Sequence, residues 1–227
     1  MSLKPPRIVP YGDAALLIQY ETDGFSKDVA SAVQALATSL RANGYWDEIV
    51  PAYESILVAF NPAQTSMESA KRKLENKIIN RDSASVKSGR LIEIPVCYAA
   101  TYGPDMGNIM KSSGLSKKEI IKLHSDNNYL VCMMGFIPGF PFLSNVPAPL
   151  HHPRHETPRL KVPAGSVGIA GWQTGIYGLE SPGGWQIIGR TPEVIFDKSR
   201  TAPFLIEAGD CVRFVPITAK AYEAYHA

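Results

Sequence analysis

The chain has 227 residues, a formal net charge of +2, and a composition that is 45% hydrophobic and 19% charged. This length fits one large domain or two modest ones, and the composition excludes bulk disorder. The 23 lysines and arginines are spread along the chain. A nucleic-acid-binding surface would concentrate them, so we expect no nucleic-acid partner. No apolar run approaches the ~20 residues of a membrane-spanning helix, so we expect no membrane span either.

The three cysteines predict neither disulfides nor a metal site. Cys97, Cys132 and Cys211 are far apart, follow no C-x-x-C pattern and lie in apolar runs. Such cysteines are typical of small buried side chains in a protein from a reducing compartment. We therefore expect a cytoplasmic protein without a metal.

The first part of the chain alternates between strand and helix patterns. Residues 26 to 43 follow a helical period, with Ser26 as a candidate N-cap. Thr65 and Glu68 form a capping-box pattern in front of a second helix. Short strand patterns surround these helices in the order ββαββα. We predict a small N-terminal α/β domain over residues 1–85, followed by a polar linker at residues 80–90.

The second part, residues 86–227, has a different pattern. One helix is predicted within "GLSKKEIIKLHSDN", where Ser116 and Glu119 form a capping box. From Gly135 onward, short strand candidates alternate with glycine and proline turns: "SVGIAG", "QTGIYG", "GWQIIGR", "EVIF" and "DCVRFVPI". This pattern is typical of a closed or nearly closed β structure, so the predicted fold class is α+β.

Residues 135–192 hold 10 of the 18 glycines and 9 of the 18 prolines. These residue types build rigid irregular loops, which can be barrel corners or can hold a binding surface. The polar residues between the glycines favour a binding surface: Arg154, Arg159, Gln173, Thr174, Tyr177, Ser181 and Arg190. Guanidinium groups and backbone N–H groups beside glycines suit a small anionic ligand.

Several catalytic patterns are missing from the sequence. It contains no P-loop and no G-x-S-x-G elbow, and "GIAGWQTG" does not fit the dinucleotide fingerprint. His151, His152 and His155 are interpreted as residues of a solvated or hydrogen-bonded loop, because nothing completes a metal-ligand spacing. His124 lies on the capped helix, where it is either a core residue or a catalyst. The catalytic residues stay unassigned, with His124 as a candidate.

Several long segments resemble one family: "GFIPGFPFL", "TPRLKVPAGSVGIAG", "QTGIYGLESPGGWQIIGRTP" and "AGDCVRFVPI". They are similar to the KipI / PxpB family, also called allophanate hydrolase subunit 1 or carboxyltransferase domain. Gly178 departs from it, since the family commonly has proline there. The resemblance implies a small N-terminal α/β domain followed by a cyclophilin-like β-barrel domain. It also implies a PxpC/KipA-type barrel subunit and a PxpA-type subunit as partners.

The resemblance leaves three functions open. The first is a subunit of an ATP-dependent 5-oxoprolinase, which opens 5-oxoproline to glutamate, with ATP bound by the complex or by this chain. The second is a carboxyltransferase-type subunit acting on urea or allophanate. The third is a KipI-like inhibitor of a sensor histidine kinase. Without a P-loop or a complete nucleophile–base set, we expect the single chain to be inactive.

The predicted site is a rigid wall facing a small anionic substrate and completed by the partner barrel. The substrate-binding candidates are Arg159, Gln173, Thr174, Tyr177 and Arg190. The candidates for the surrounding loop and pocket wall are Gly135, Phe136, Pro138, Gly139, Phe140, Ser181, Pro182, Gly183, Gly184 and Trp185. We expect both arginines, Gln173 and Thr174 to converge on one concave surface.

Overall fold

The structure is a computed structural model that describes residues 3–79 and 89–225. The chain divides into two compact units, Met1–Ser88 and Gly89–Ala227. Residues 80–88 of the predicted linker, together with the predicted boundary between residues 85 and 86, lie outside the described residues. The α+β fold class predicted from the sequence is confirmed, because one unit joins a small sheet to two helices and the other contains a closed β-barrel.

The first unit is built on a four-stranded antiparallel sheet. Its strands are β1 (Arg7–Pro10), β2 (Ala15–Gln19), β3 (Glu48–Pro51) and β4 (Ser55–Ala59), in the order β1-β2-β4-β3. Alternate residues of the two central strands, Leu16, Ile18, Ile56 and Val58, are fully buried. This period of two directs one apolar face of the sheet towards the core.

Two helices cover that apolar face. Helix α1 (Lys27–Arg41) begins at Ser26, whose side chain accepts the N–H of Val29, as the sequence predicts. Helix α2 spans Met67–Ile79. Its cap lies one residue beyond the predicted one. The side chain of Ser66 accepts the N–H of Ser69, while the hydroxyl of Thr65 contacts Tyr45.

The second unit is a closed seven-stranded barrel. Its strands, in order around the wall, are β10 (Gln173–Ile176), β7 (Pro141–Leu143), β6 (Asn128–Met134), β13 (Cys211–Ile217), β5 (Leu91–Cys97), β12 (Gln186–Arg190) and β9 (Ser166–Ala170). Strands β13 and β5 are parallel and the other neighbours are antiparallel. Closure leaves no unpaired edge in this sheet.

Several shorter elements accompany the barrel. They are α3 (Met106–Ser113), α4 (Lys117–Ser125), α5 (Ala219–Ala224) and a two-stranded sheet of β8 (Arg159–Val162) and β11 (Ser181–Gly183). The predicted helix is α4, with both halves of its capping box formed. The prediction of a strand at "EVIF" is wrong, because only Phe196 forms an isolated bridge, to Phe204. Among the described residues, no helix is long and apolar enough to cross a membrane.

Candidate functional site

A cleft of about 680 Å³ opens on the barrel unit beside the glycine-rich segment. This volume lies within the range of small-molecule sites in proteins. Its lining residues come from four stretches of the chain: Phe136 and Phe142; Pro153, Arg154 and Pro158; Ala170, Gly171, Trp172, Gln173 and Tyr177; Pro182, Gly183, Gly184 and Trp185. The glycine-rich segment therefore contributes most of the cleft, together with the loop that precedes β8.

Aromatic rings form the walls of this cleft. The fully buried ring of Phe140 packs edge-on against Tyr177 and Trp185, with ring centroids 5.1 and 5.2 Å apart. Phe136 is 63% exposed at the rim, and it is the non-glycine residue of the described chain with a positive φ, at 66°. An exposed phenylalanine held in the left-handed region is unfavourable unless its surroundings impose that geometry. The rim of the cleft is thus shaped by its packing.

Gly183 allows the chain to pass close to Tyr177. A Cβ atom on Gly183 would lie 2.2 Å from the Tyr177 hydroxyl oxygen, which no side chain can occupy. A Cβ atom on the neighbouring Gly184 would meet its nearest heavy atom, the carbonyl oxygen of His155, at 3.4 Å. Burial raises the pKa of Tyr177 to about 12, although Arg159 and Arg154 oppose this shift. The hydroxyl therefore stays protonated at neutral pH and can donate a hydrogen bond.

Arg154 supplies the cation of the cleft. It is exposed on the cleft wall, and no hydrogen bond or ion pair joins its guanidinium to another described residue. Gln173, the first residue of β10, adds an amide to the same lining. An unpaired guanidinium among apolar rings is well suited to a carboxylate, because the rings limit the water that would otherwise screen the pair.

Arg159 does not reach the cleft lining, contrary to the predicted wall. Its Nη2 group donates to the carboxylate of Asp105, which is buried at the start of α3. This ion pair neutralises the guanidinium. Arg159 is placed to hold Asp105, and its charge is not free for a substrate anion.

Arg190 lies at a different place from the cleft. Its Nε donates to the carbonyl oxygen of Ala164 at 2.8 Å, and it lines a second, smaller cavity of about 170 Å³ with Glu193 and Tyr222. The predicted convergence of Arg159 and Arg190 on one surface is therefore wrong. The two arginines belong to separate surroundings although both flank the glycine-rich segment.

Thr174 lies inside the barrel, so the prediction that it shares a surface with Gln173 is also wrong. Neighbouring residues of a strand point to opposite faces of a sheet, and Thr174 is fully buried whereas Gln173 lines the cleft. The Thr174 hydroxyl donates to the carbonyl oxygen of Gly168 at 2.9 Å and lies 3.0 Å from Nε2 of His124.

His124 is a residue of the barrel core, not of the cleft. It is fully buried, stacks on Phe214 and has its Nδ1 atom 2.8 Å from the Tyr98 hydroxyl. Because Thr174 gives its proton to Gly168, the Nε2–H of His124 donates to Thr174, and Nδ1 accepts from Tyr98. Burial lowers the pKa of His124 to about 3. The ring is a neutral link in a buried hydrogen-bond chain, so His124 is no longer a candidate catalyst.

We expect the His124 ring to stay neutral well below the usual range of histidine. In a ¹⁵N NMR titration of the intact chain, its nitrogens keep the shifts of the neutral Nε2–H form from pH 7.5 to 5. Because the unfolded chain takes up this proton near pH 6.5 and the folded chain does not, the associated stability is lost as pH falls from about 6.5 towards 3. A His124 titration midpoint near 6.5 contradicts this account of the core.

The remaining residues of the predicted wall support the cleft from behind or lie beside it. Gly135, Pro138, Gly139, Phe140 and Ser181 are outside its lining. Gly139 has a φ of 75°, and a Cβ atom there would lie 2.5 Å from Phe196. The predicted Phe136, Gln173, Tyr177, Pro182, Gly183, Gly184 and Trp185 are brought together in the lining.

Three residues near the cleft are absent from the site candidates predicted from the sequence: Arg154, Asp105 and His155. Nε2 of His155 is buried 3.3 Å from Oδ2 of Asp105, whereas the sequence suggested a histidine of a solvated loop. Asp105 lies about 50 positions before His155, and no local pattern joins them. Within the described residues, no group of three or more histidine, cysteine or acidic side chains is placed to hold a metal ion.

Comparison with known families places the chain. Residues 6–206 match the family described as "Carboxyltransferase domain, subdomain C and D". The chain belongs to this carboxyltransferase domain family. It is 37% identical over 231 residues to a 5-oxoprolinase subunit of Bacillus subtilis, with 96% of each chain covered. It is 45% identical over 170 residues to the 5-oxoprolinase subunit of the same name in Escherichia coli O157:H7, with 74% and 77% covered.

Solved structures of family relatives have the same fold. The uncharacterised protein PH0987 of Pyrococcus horikoshii is 40% identical, with a TM-score of 0.58 over 95% of this chain and all of that one. TTHA0988 is 35% identical with a TM-score of 0.78, and the match covers 90% of this chain but only 40% of TTHA0988. The urea amidolyase of Kluyveromyces lactis is 17% identical, with a TM-score of 0.76 over 99% of this chain and 16% of the amidolyase, a likeness of fold alone.

Proposed function

We propose that this chain is a subunit of an ATP-dependent 5-oxoprolinase and that its aromatic cleft binds the substrate. Two relatives named as 5-oxoprolinase subunits, 37% and 45% identical, support the choice of reaction. The observation that carries the proposal is the exposed, unpaired Arg154 in the wall of the cleft. 5-Oxoproline is a small lactam with one carboxylate, so it needs one cation and hydrogen-bonding groups for its amide.

The residues of the cleft fit these needs. Arg154 pairs with the carboxylate, while the Gln173 side chain and the backbone beside Gly183 and Gly184 face the amide. Apolar rings exclude water, which strengthens both sets of contacts. In this proposal Arg159, Thr174 and Arg190 support the surrounding structure, and they do not contact the substrate.

The cleft volume of about 680 Å³ exceeds the size of 5-oxoproline. The remaining space is available to a second reactant or to side chains of another subunit. A triphosphate carries several negative charges, whereas Arg154 is the cation that lines this cleft among the described residues. We therefore assign ATP binding to the complex, with a PxpC/KipA-type barrel subunit completing the cleft and a PxpA-type subunit as third component. In that setting ATP phosphorylates the amide oxygen and so activates the stable lactam.

The test is reconstitution of the activity. The chain is co-expressed with its barrel partner and a PxpA-type subunit, and glutamate is measured with 5-oxoproline and ATP. We expect glutamate formation that depends on both reactants and on every subunit, and none from the single chain. A fully assembled complex that forms no glutamate contradicts the proposal, as does robust turnover by the single chain.

A carboxyltransferase-type subunit is the second candidate function. It is favoured by the family described as a carboxyltransferase domain and by urea amidolyase of Saccharomyces cerevisiae, which is 23% identical over 91% of this chain. The same Arg154 would then pair with a transferred carboxylate. Carboxyl transfer to urea in the presence of a biotin-carrying partner, without glutamate formation from 5-oxoproline, would favour this candidate over the first.

A further inference from the structure

Asp105 is a buried carboxylate with a function beyond its helix. It stands at the N-cap position of α3 but forms no side-chain capping bond with that helix. Its Oδ2 atom instead accepts the backbone N–H of Ile187 at 2.7 Å, and its Oδ1 atom accepts from Arg159. These two contacts fix the carboxylate against β12 and β8, and they aim its remaining acceptor capacity at His155.

His155 faces this carboxylate from the loop that lines the cleft. Its Nε2 atom lies 3.3 Å from Oδ2 of Asp105, and its side chain is 26% exposed. The backbone N–H of His155 donates to the carbonyl oxygen of Gly184 at 2.7 Å, and Gly184 lines the cleft. The ring is therefore anchored beside the cleft, with one nitrogen towards a buried acid and the other, Nδ1, free of any described partner.

Unpaired polar atoms concentrate around the same group. In the described parts of the chain, the buried side-chain nitrogen and oxygen atoms without a hydrogen-bond partner are Nε2 of His155, Nη1 of Arg159 and Oη of Tyr177. The backbone of Trp185 lowers the pKa of Tyr177 but does not form a well-aligned bond with Oη. Leaving such atoms unpaired costs about 1–3 kcal/mol each. Native proteins keep this arrangement mainly where a ligand or a reaction uses it.

We propose that Asp105 and His155 form a proton-transfer pair for cleavage of an amide bound in the cleft. The proposal rests on the function proposed above. Asp105 accepts the Nε2–H of His155, which leaves the lone pair on Nδ1. As the oxygen of a water molecule bonds to the amide carbon, Nδ1 takes a proton from that water. The C–N bond then breaks, and the same proton passes from Nδ1 to the departing nitrogen.

Each neighbour has a defined part in this step. Asp105 stabilises the imidazolium that exists between the two transfers, as a carboxylate behind a histidine does in other general acid–base pairs. Arg159 is a positioning residue, because it contacts Asp105 and holds the carboxylate in place. Tyr177, with its hydroxyl protonated, is a donor for the developing oxyanion on the amide oxygen.

The decisive experiment is chemical rescue in the reconstituted complex. Replacing His155 with alanine should lower kcat by about 100-fold or more, the usual contribution of a general base. Added imidazole should restore part of the lost kcat. His152→Ala is the matched control, since His152 lies in the same loop, its Nδ1 contacts the carbonyl oxygen of Pro153, and it does not line the cleft. This control should keep the wild-type rate and show no response to imidazole.

A second measurement separates this proposal from the function on which it rests. Diethyl pyrocarbonate acylates accessible imidazoles, and peptide mass spectrometry reports each site in the wild-type complex. Bound 5-oxoproline should slow the acylation of His155 but not that of His152. A wild-type complex without glutamate formation, in which urea protects His155, overturns the 5-oxoprolinase assignment and supports the pair. An active complex whose His155→Ala variant keeps its kcat overturns the pair alone, and so does His155 acylation that neither 5-oxoproline nor urea slows.

Discussion

Replacing Arg154 with alanine should lower kcat/KM of the reconstituted complex for 5-oxoproline by about 10- to 100-fold. The change removes a charge-assisted contact with the substrate carboxylate, and such contacts are worth about 1.5–3 kcal/mol. The fold should not change, because Arg154 is exposed and bonds to no described residue. Steady-state kinetics of glutamate formation measure the effect, with subunit assembly followed by size-exclusion chromatography.

Arg213→Ala is the matched control for this substitution. Arg213 lies on β13, outside the cleft lining, and its ion pair with Glu93 is exposed to solvent. Exposed pairs contribute about 0–1 kcal/mol to stability, so this variant should keep both its fold and its activity. If both variants retain full activity, Arg154 does not bind the substrate and the proposed use of the cleft is wrong.

Replacing Gly183 with alanine should destabilise the barrel unit by about 1–3 kcal/mol, the usual cost of forcing extra volume into a packed region. The new Cβ atom would lie 2.2 Å from the hydroxyl oxygen of Tyr177. Tyr177 is fully buried, and its ring is held edge-on by Phe140, so it cannot move aside freely. The shift that follows would also distort the cleft wall and lower substrate affinity.

The neighbouring Gly184 gives the matched control, because Gly184→Ala brings a Cβ no closer than 3.4 Å to another heavy atom. This variant should stay within about 1 kcal/mol of the wild type. Urea unfolding followed by tryptophan fluorescence measures both variants. A Trp46→Phe background removes the one tryptophan of the first unit, so Trp172 and Trp185 report on the barrel. Equal unfolding midpoints for the two variants would refute the close approach at Gly183.

Local patterns predicted much of the fold. The capping box at Ser116 and Glu119 and the short strands between glycines follow from interactions within a few residues, and all are present. Helix α3 was missed because its apolar residues are few and its N-cap, Asp105, uses its carboxylate for distant contacts with Ile187 and Arg159. The strand expected at "EVIF" fails for a related reason, since it has no continuous partner strand.

The site was predictable only in part. The sequence indicated which segment lines the cleft, because glycines beside aromatic residues mark rigid loops. It did not indicate which arginine is free, since that depends on Asp105 reaching Arg159 and on Ala164 reaching Arg190. The strand alternation that separates Gln173 from Thr174 was available from the sequence, because both lie in one predicted strand. Applying that period would have placed Thr174 in the interior.

The central claim is that the cleft around Arg154 holds the substrate. A crystal structure of the chain bound to its barrel partner, with 5-oxoproline soaked into the complex, tests it most directly. The account predicts 5-oxoproline between the rings of Tyr177 and Trp185, with its carboxylate oxygens within hydrogen-bond distance of the Arg154 guanidinium. 5-Oxoproline bound elsewhere in the complex, with Arg154 facing solvent or the partner, would contradict it.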